Sequence, residues 1–266
     1  MPKLPKRLAT HMRILTFLLL CGSLGLLACQ PHPEAQADVI LITERGEIGI
    51  RLFDDAPIHK ENFLKLAQAG FYDSLAFHRV IDGFMVQTGD PRTRVTYPPT
   101  DTTAPDGPGY TLPPEFSDAR FHRRGTVGAA RWGDELNPEQ RSSGSQFYIV
   151  TGSPARDTRL DSIEEAYTGV LRGRLYQAFI ADSSFEGSFE AYQQAHDFTP
   201  FHYPRSVREM YRQEGGAPWL DFTYTIFGEV VSGWHVVKEI EKLATDPYDR
   251  PRRPVRVLHT RIPAAS

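Results

Sequence analysis

The stretch Phe77-His78-Arg79-Val80-Ile81-Asp82-Gly83-Phe84-Met85-Val86-Gln87-Thr88-Gly89-Asp90-Pro91 decides how this chain is read. Two apolar runs flank Asp82-Gly83, a strong short-range signal for a β-hairpin. A two-residue turn would pair Ile81 with Phe84 and set Arg79 opposite Val86. A three-residue loop ending at Phe84 would pair Ile81 with Met85 and Arg79 with Gln87. The second register is preferred, because side chains alternate along a strand and it gathers Arg79, Ile81, Met85 and Gln87 on one face. The product is a cation and an amide standing over an apolar floor.

Outward from the hairpin, Val39 to Thr43 and Glu47 to Phe53 read as strands around Arg45-Gly46. Asp54-Asp55-Ala56-Pro57 starts a helix, with acidic residues near its positive end, Phe63, Leu66 and Ala67 as its buried stripe, and Gly70 at its end. Arg92 to Pro108 is rich in proline, threonine and aspartate and reads as an exposed loop. The small residues of Gly125-Thr126-Val127-Gly128-Ala129-Ala130 suit close backbone approach by a ligand. Gln146 to Val150 is a strand with Phe147 and Ile149 alternating against Gln146, Tyr148 and Val150. Thr223 to Val231 returns as strand, Val236, Val237, Ile240 and Leu243 mark a helix, and Val255 to Ile262 reads as a closing strand. No internal repeat is evident, and periodicity alone gives a β-dominated domain with helices.

Three blocks resemble the cyclophilins, the peptidyl-prolyl cis–trans isomerases: FHRVIDGFMVQTGDP itself, GTVGAARWGDELNPEQRSSGSQFYIVTG (Gly125 to Gly152) and PWLDFTYTIFGEVVSGWHVVKEI (Pro218 to Ile240). They occur in the family's order. The resemblance implies a mainly β fold, a closed eight-stranded antiparallel barrel with two capping helices. The domain would run from residue 38 to 266. The chain departs from the family between Ser153 and Ala217, where a short loop is replaced by a helical insertion at about 155–216. Leu160, Ile163, Tyr167, Val170 and Leu171 recur there at helical spacing, as do Leu175, Ala178 and Phe179, and Tyr203 to Gln213 reads as another short helix. Packing on the barrel edge is the favoured account of these apolar residues, and a docking surface is the alternative.

The chemistry implied is rotation about X–Pro bonds. Peptide resonance sets a barrier of ~18–20 kcal/mol, and uncatalysed prolyl isomerisation is slow. No bond breaks, so nucleophile, proton relay, metal and redox cofactor are not needed. At the twisted geometry the proline nitrogen regains its lone pair, and a donor placed there binds the transition state better than either planar ground state. Arg79 matches the family arginine assigned that task, which its permanent charge and rigid fork of donors suit.

By the same resemblance, Phe84, Met85, Tyr148 and Leu220 form the wall that receives the proline ring. Gln87 holds the substrate backbone, Ala129, Ala130 and Gln146 lie along the bound peptide, and Trp219 stands at the rim, where it implies some affinity for cyclosporin. Ala130 stands where many eukaryotic members have asparagine, Tyr224 where they have histidine, and Tyr148 where phenylalanine is commoner. His78 reads as structural rather than as a general base.

The amino terminus carries its own message. Lys3, Lys6, Arg7 and Arg13 precede an apolar run from Ile14 to Ala28, a signal-peptide pattern. Leu26-Leu27-Ala28-Cys29 resembles the lipobox of bacterial lipoproteins, which implies a cleaved leader over 1–28, lipidation of Cys29 and a tether over 29–37. Gln30 after that cysteine points to the outer membrane of the cell envelope. Cys21 leaves with the leader, so no intrachain disulfide is expected. Loss of the leader takes 30 basic and 33 acidic residues to 26 and 33, and a net charge of −3 to −7. That sign disfavours nucleic-acid binding, and the basic stretch Arg120 to Arg131 reads as solvated turns. The expected partners are proline-containing segments of client proteins.

Overall fold

The computed structural model describes residues 37–94, 96–97 and 107–264. The leader, Cys29 and nearly all of the tether lie outside them. Among the described residues, ten strands and five α-helices follow in order. Strands β1 (Val39–Thr43) and β2 (Gly46–Leu52) lead into α1 (Pro57–Gln68), then β3 (Arg79–Ile81) and β4 (Met85–Thr88). Next come β5 (Thr111–Leu112), β6 (Thr126–Ala129), β7 (Ser142–Ser143) and β8 (Phe147–Val150). Helices α2 (Asp157–Ala181), α3 (Phe189–Ala195) and α4 (Arg205–Gln213) make the insertion, before β9 (Ile226–Ser232), α5 (Trp234–Glu241) and β10 (Val257–Arg261).

Eight strands form one curled antiparallel sheet in the order β10-β1-β2-β9-β6-β8-β4-β3, and β5 pairs with β7 apart from it. The closed barrel expected from the sequence is not formed: the sheet is an open half-barrel, since β3 and β10 share no ladder. Across the gap the chain meets at the bridge Ala76↔Arg256 and at single bonds such as Phe77 N–H to the Val255 carbonyl at 2.9 Å. The segment leading into β10 holds Pro251 and Pro254. Proline has no N–H to donate, so a continuous ladder cannot run through it.

Period-two alternation decides which residues enter the core. Val80, Val86, Val127, Phe147 and Ile149 face inward and join Val39, Leu41, Ile48 and Ile50. Helix α1 contributes Phe63, whose ring meets Phe147 edge-on at 5.1 Å and Phe227 at 5.4 Å. Helix α5 adds Val236, Val237 and Ile240. Each such side chain, fully buried, contributes roughly 1.5–3 kcal/mol.

The start of α1 is capped from afar. Glu115 accepts the backbone N–H groups of Ile58 and His59 at 3.0 and 2.9 Å, and lies 2.6 Å from the His59 ring. The N-cap residue, Ala56, makes no side-chain capping bond. A carboxylate at the positive end of a helix is favourable wherever in the chain it comes from.

The insertion is helical, as its spacing predicts, but it does not lie wholly on the sheet. Of α2 only Leu160 and Glu164 are buried. Its first half joins Tyr203, Tyr211 and Phe222 in a second cluster, with Tyr167 stacked on Phe222 at 4.2 Å. Its second half packs on α3 instead, through Tyr176 on Phe189 at 5.1 Å and Phe179 on Tyr192 at 5.3 Å. A backbone N–H of Phe201 donates to the Thr168 hydroxyl at 2.9 Å, so the ends of this outer excursion meet.

Candidate active site

The hairpin adopts the three-residue loop. Arg79 pairs with Gln87, Val80 with Val86 and Ile81 with Met85. Gly83 takes a φ of +71°, the left-handed region that a side chain would strain. The register puts Val80 and Val86 into the core and turns Arg79, Ile81, Met85 and Gln87 to the other face.

Strand β8 extends that face, because Gln87 opposes Tyr148 and Met85 opposes Val150. Met85, Tyr148, Val150, Ala217 and Leu220 form one buried apolar cluster, with Ile81, Phe84, Ala130 and Tyr224 packed half-buried against it. Phe84 and Trp219 meet at 5.1 Å between ring centres, and Trp219 remains 40% exposed at the rim. Leu220 reaches the cluster from the 3-10 turn Pro218–Leu220. Tyr224 meets Tyr148 edge-on at 6.2 Å.

Arg79 stands beside this hollow with its side chain 45% exposed, and its Nε lies 3.6 Å from Asp249 Oδ2. A half-exposed ion pair at that separation is weak, so the guanidinium is free to change partners. The Gln87 amide donates to the Gln146 side-chain oxygen at 3.0 Å. Both glutamines also line a groove of about 610 Å³ that runs on past Ala130, Trp132 and Arg141. The site therefore has two adjoining parts, an apolar hollow and a longer polar groove, with the two amides at the junction.

The structure separates Ala129 and Ala130, which the resemblance places together along the bound peptide. Ala130 faces the hollow, whereas Ala129 is 3% exposed with its side chain in the main core. Alternation on β6 forces that division. Only its backbone, which pairs with Phe147, lies along the strand. His78 is half-buried, and its Nδ1 atom is buried and unpartnered among the described residues. Burial holds its pKa below the usual histidine value, partly offset by Asp90.

Of the arginines from 120 to 131, Arg120 and Arg123 stay partly exposed as expected, whereas Arg131 does not. Arg120 pairs with Asp55, Arg123 with Glu229 and Arg131 with Asp134. Arg131 is 4% exposed, lies under the Tyr224 ring at 4.3 Å and donates to the Thr223 carbonyl at 2.9 Å. It therefore holds Tyr224 from behind. Sequence reasoning also missed His122 and Asp221, which are buried behind Tyr148. Neither lies at a spacing that announces a partner, since the two are 99 residues apart.

The described residues thus set a cation beside an apolar hollow on the outer face of a curled antiparallel sheet. Residues 39–262 match the family described as cyclophilin type peptidyl-prolyl cis-trans isomerase/CLD, and the chain belongs to that family. It is a peptidyl-prolyl cis–trans isomerase. A Staphylococcus aureus (strain USA300) protein named "Putative peptidyl-prolyl cis-trans isomerase" is 27% identical over 82% of this chain and 87% of its own length. A Cryptosporidium parvum cyclophilin type peptidyl-prolyl cis-trans isomerase shares the fold with a TM-score of 0.54 and 20% identity, over 85% of this chain and 96% of that one. A crystal structure of the same Cryptosporidium protein in the presence of the dipeptide Ala-Pro gives a TM-score of 0.53 at 20% identity, over 85% and 98% of the two chains.

Proposed function

We propose that the chain isomerises X–Pro bonds in client proteins of the cell envelope, with Arg79 as the group that stabilises the twisted bond. The observation that carries this reading is the hairpin register, which sets Arg79 and Gln87 side by side on the face that bears the Met85–Tyr148–Leu220 hollow. The proline ring packs into the hollow, Gln87 and Gln146 hold the substrate backbone, and the peptide continues along the groove past Ala130. The guanidinium donates to the proline nitrogen when the bond is twisted and that nitrogen has regained its lone pair. Such an interaction is stronger in the transition state than in either planar state, so it lowers the barrier. Protease-coupled or NMR exchange kinetics on residues 30–266 test the activity, and Arg79→Ala tests the assignment. Turnover equal to wild type in that variant rejects it.

The leader supports attachment through lipid at Cys29, at the outer membrane. An anchor with more than one acyl chain would hold the protein stably on that surface. Among the described residues no helix is long and apolar enough to cross a membrane. Metabolic labelling with radioactive palmitate checks the anchor: wild type incorporates label and Cys29→Ala does not, while label in the variant refutes it. The half-exposed Trp219 beside Phe84 supports weak cyclosporin binding, which calorimetry at high ligand concentration detects or excludes.

A second reading, a proline-peptide scaffold with incidental isomerisation, draws on one feature. Val170, Tyr176 and Ile180 expose apolar surface along α2, at 46%, 46% and 57%.

A further inference from the structure

The carboxylate of Asp221 is fully used. Its Oδ1 accepts the backbone N–H of His122 at 2.8 Å and also faces the ring Nδ1 at 2.8 Å. Its Oδ2 accepts the hydroxyls of Tyr203 at 2.8 Å and Tyr211 at 2.6 Å. The side chains of His122 and Asp221 are both wholly buried, at 0% exposure. A carboxylate can only accept, so the hydrogen sits on Nδ1 of His122. In the neutral ring Nε2 is then the acceptor, and the Tyr148 hydroxyl lies 3.0 Å from it. Burial raises the pKa of Tyr148, Tyr203 and Tyr211, which keeps all three as O–H donors at neutral pH.

The two ends of this chain of bonds belong to different parts of the protein. Tyr203 and Tyr211 come from the insertion, one just before α4 and one within it. Tyr148 comes from β8 and forms the wall of the hollow. Asp221 itself directly follows Leu220. A second line of contact runs the same way, since the Tyr203 hydroxyl also lies 3.2 Å from the Pro218 carbonyl oxygen and the Arg159 guanidinium of α2 sits 5.1 Å from the Trp219 ring centre.

We infer that Tyr203 and Tyr211 are positioning residues for the isomerase: the insertion orients Asp221, Asp221 orients His122, and His122 fixes the Tyr148 ring that the proline meets. The insertion is thereby the outer wall of the site and not an appendage to it. A buried carboxylate left with an unfilled valence is costly, so loss of one donor is answered by movement along the chain of bonds. This inference rests on the reading of the hollow as the proline site.

A double-mutant cycle tests it, with Tyr211→Phe, Tyr148→Phe and the pair. Affinity for the tetrapeptide Ala-Ala-Pro-Phe comes from NMR titration, and turnover comes from exchange kinetics. Tyr211→Phe weakens both by about fivefold, the fold-change of one buried hydrogen bond. In the Tyr148→Phe background, where the last hydroxyl is gone, the same change costs less than about twofold. Additive effects, or a Tyr211→Phe protein equal to wild type in both readouts, overturn the inference; a merely structural tyrosine gives additivity. Should Tyr211→Phe fail to fold, Tyr203→Phe takes its place, because it donates to the same oxygen. The imidazole ¹⁵N shifts of His122 read the chain of bonds without any peptide, and both variants displace them. Wild-type protein that binds the peptide without turnover removes the isomerase assignment while the affinity cycle still decides the role of the tyrosines.

Discussion

Tyr148 lies across Gly128: the two are paired in adjacent strands, and a Cβ on that glycine would collide with the end of the phenol ring. The bare backbone of β6 is what lets the ring reach His122 behind the hollow. Gly128→Ala therefore overpacks the site and displaces the ring. We expect a loss of about 1–3 kcal/mol in unfolding free energy by urea titration, together with weaker peptide affinity. A variant as stable and as tight-binding as wild type would show that the ring is not seated there.

Arg79→Ala removes the donor while the hollow remains. Turnover should fall by roughly 10²-fold or more, the cost of deleting one preorganised donor. Affinity for the peptide should change far less if, as proposed, the proline ring packs on the apolar wall in both planar states. Arg79→Lys keeps the charge but not the fork, and should recover only part of the rate. A matched fall in turnover and affinity would reassign Arg79 to binding.

The outer part of the insertion is separable from the part that holds Asp221. Thr168 and Phe201 adjoin, so residues 169–200 can be replaced by a short glycine linker without straining either end. Activity on short peptides should persist within about twofold, because loop length costs little once the ends are close. Loss of a cellular partner with turnover intact would support the scaffold reading of α2. Loss of turnover in this variant would mean that the tip also acts on the site.

Stability should decline on mild acidification through His59. Its pKa is lowered by burial, although Glu115 pulls the other way. The unfolded chain takes up a proton near the ordinary histidine value of about 6.5, whereas the folded protein does so only at lower pH. The unfolded state then binds more protons over that window, so stability is complete above it and is lost as pH falls through it. His78, also lowered by burial, adds in the same direction. Thermal midpoints between pH 7.5 and 5.5 should fall, and less so in His59→Gln. An unchanged or rising midpoint on acidification would contradict the assignment.

The local signals were legible because they are short-range. Asp82-Gly83 and the alternation on either side specify the hairpin and its register, and the spacing of Phe63, Leu66 and Ala67 specifies the buried face of α1. That the barrel stays open was not legible, since closure depends on whether two remote segments form a continuous ladder, and here they meet at one bridge and a few backbone bonds beside Pro251 and Pro254. The long-range cap of α1 by Glu115 was hidden in the same way.

Reading the chain alone was enough to say which residues stand on one face of the hairpin, and so that a cation and an amide share it. Side-chain alternation is a property of the strand and needs no knowledge of the rest of the chain. Only the tertiary structure decided that a tyrosine pair from the insertion reaches Asp221 and, through His122, the wall of the hollow. Buried hydrogen bonds join groups by position in space, and the burial that makes them consequential exists only once the chain has folded.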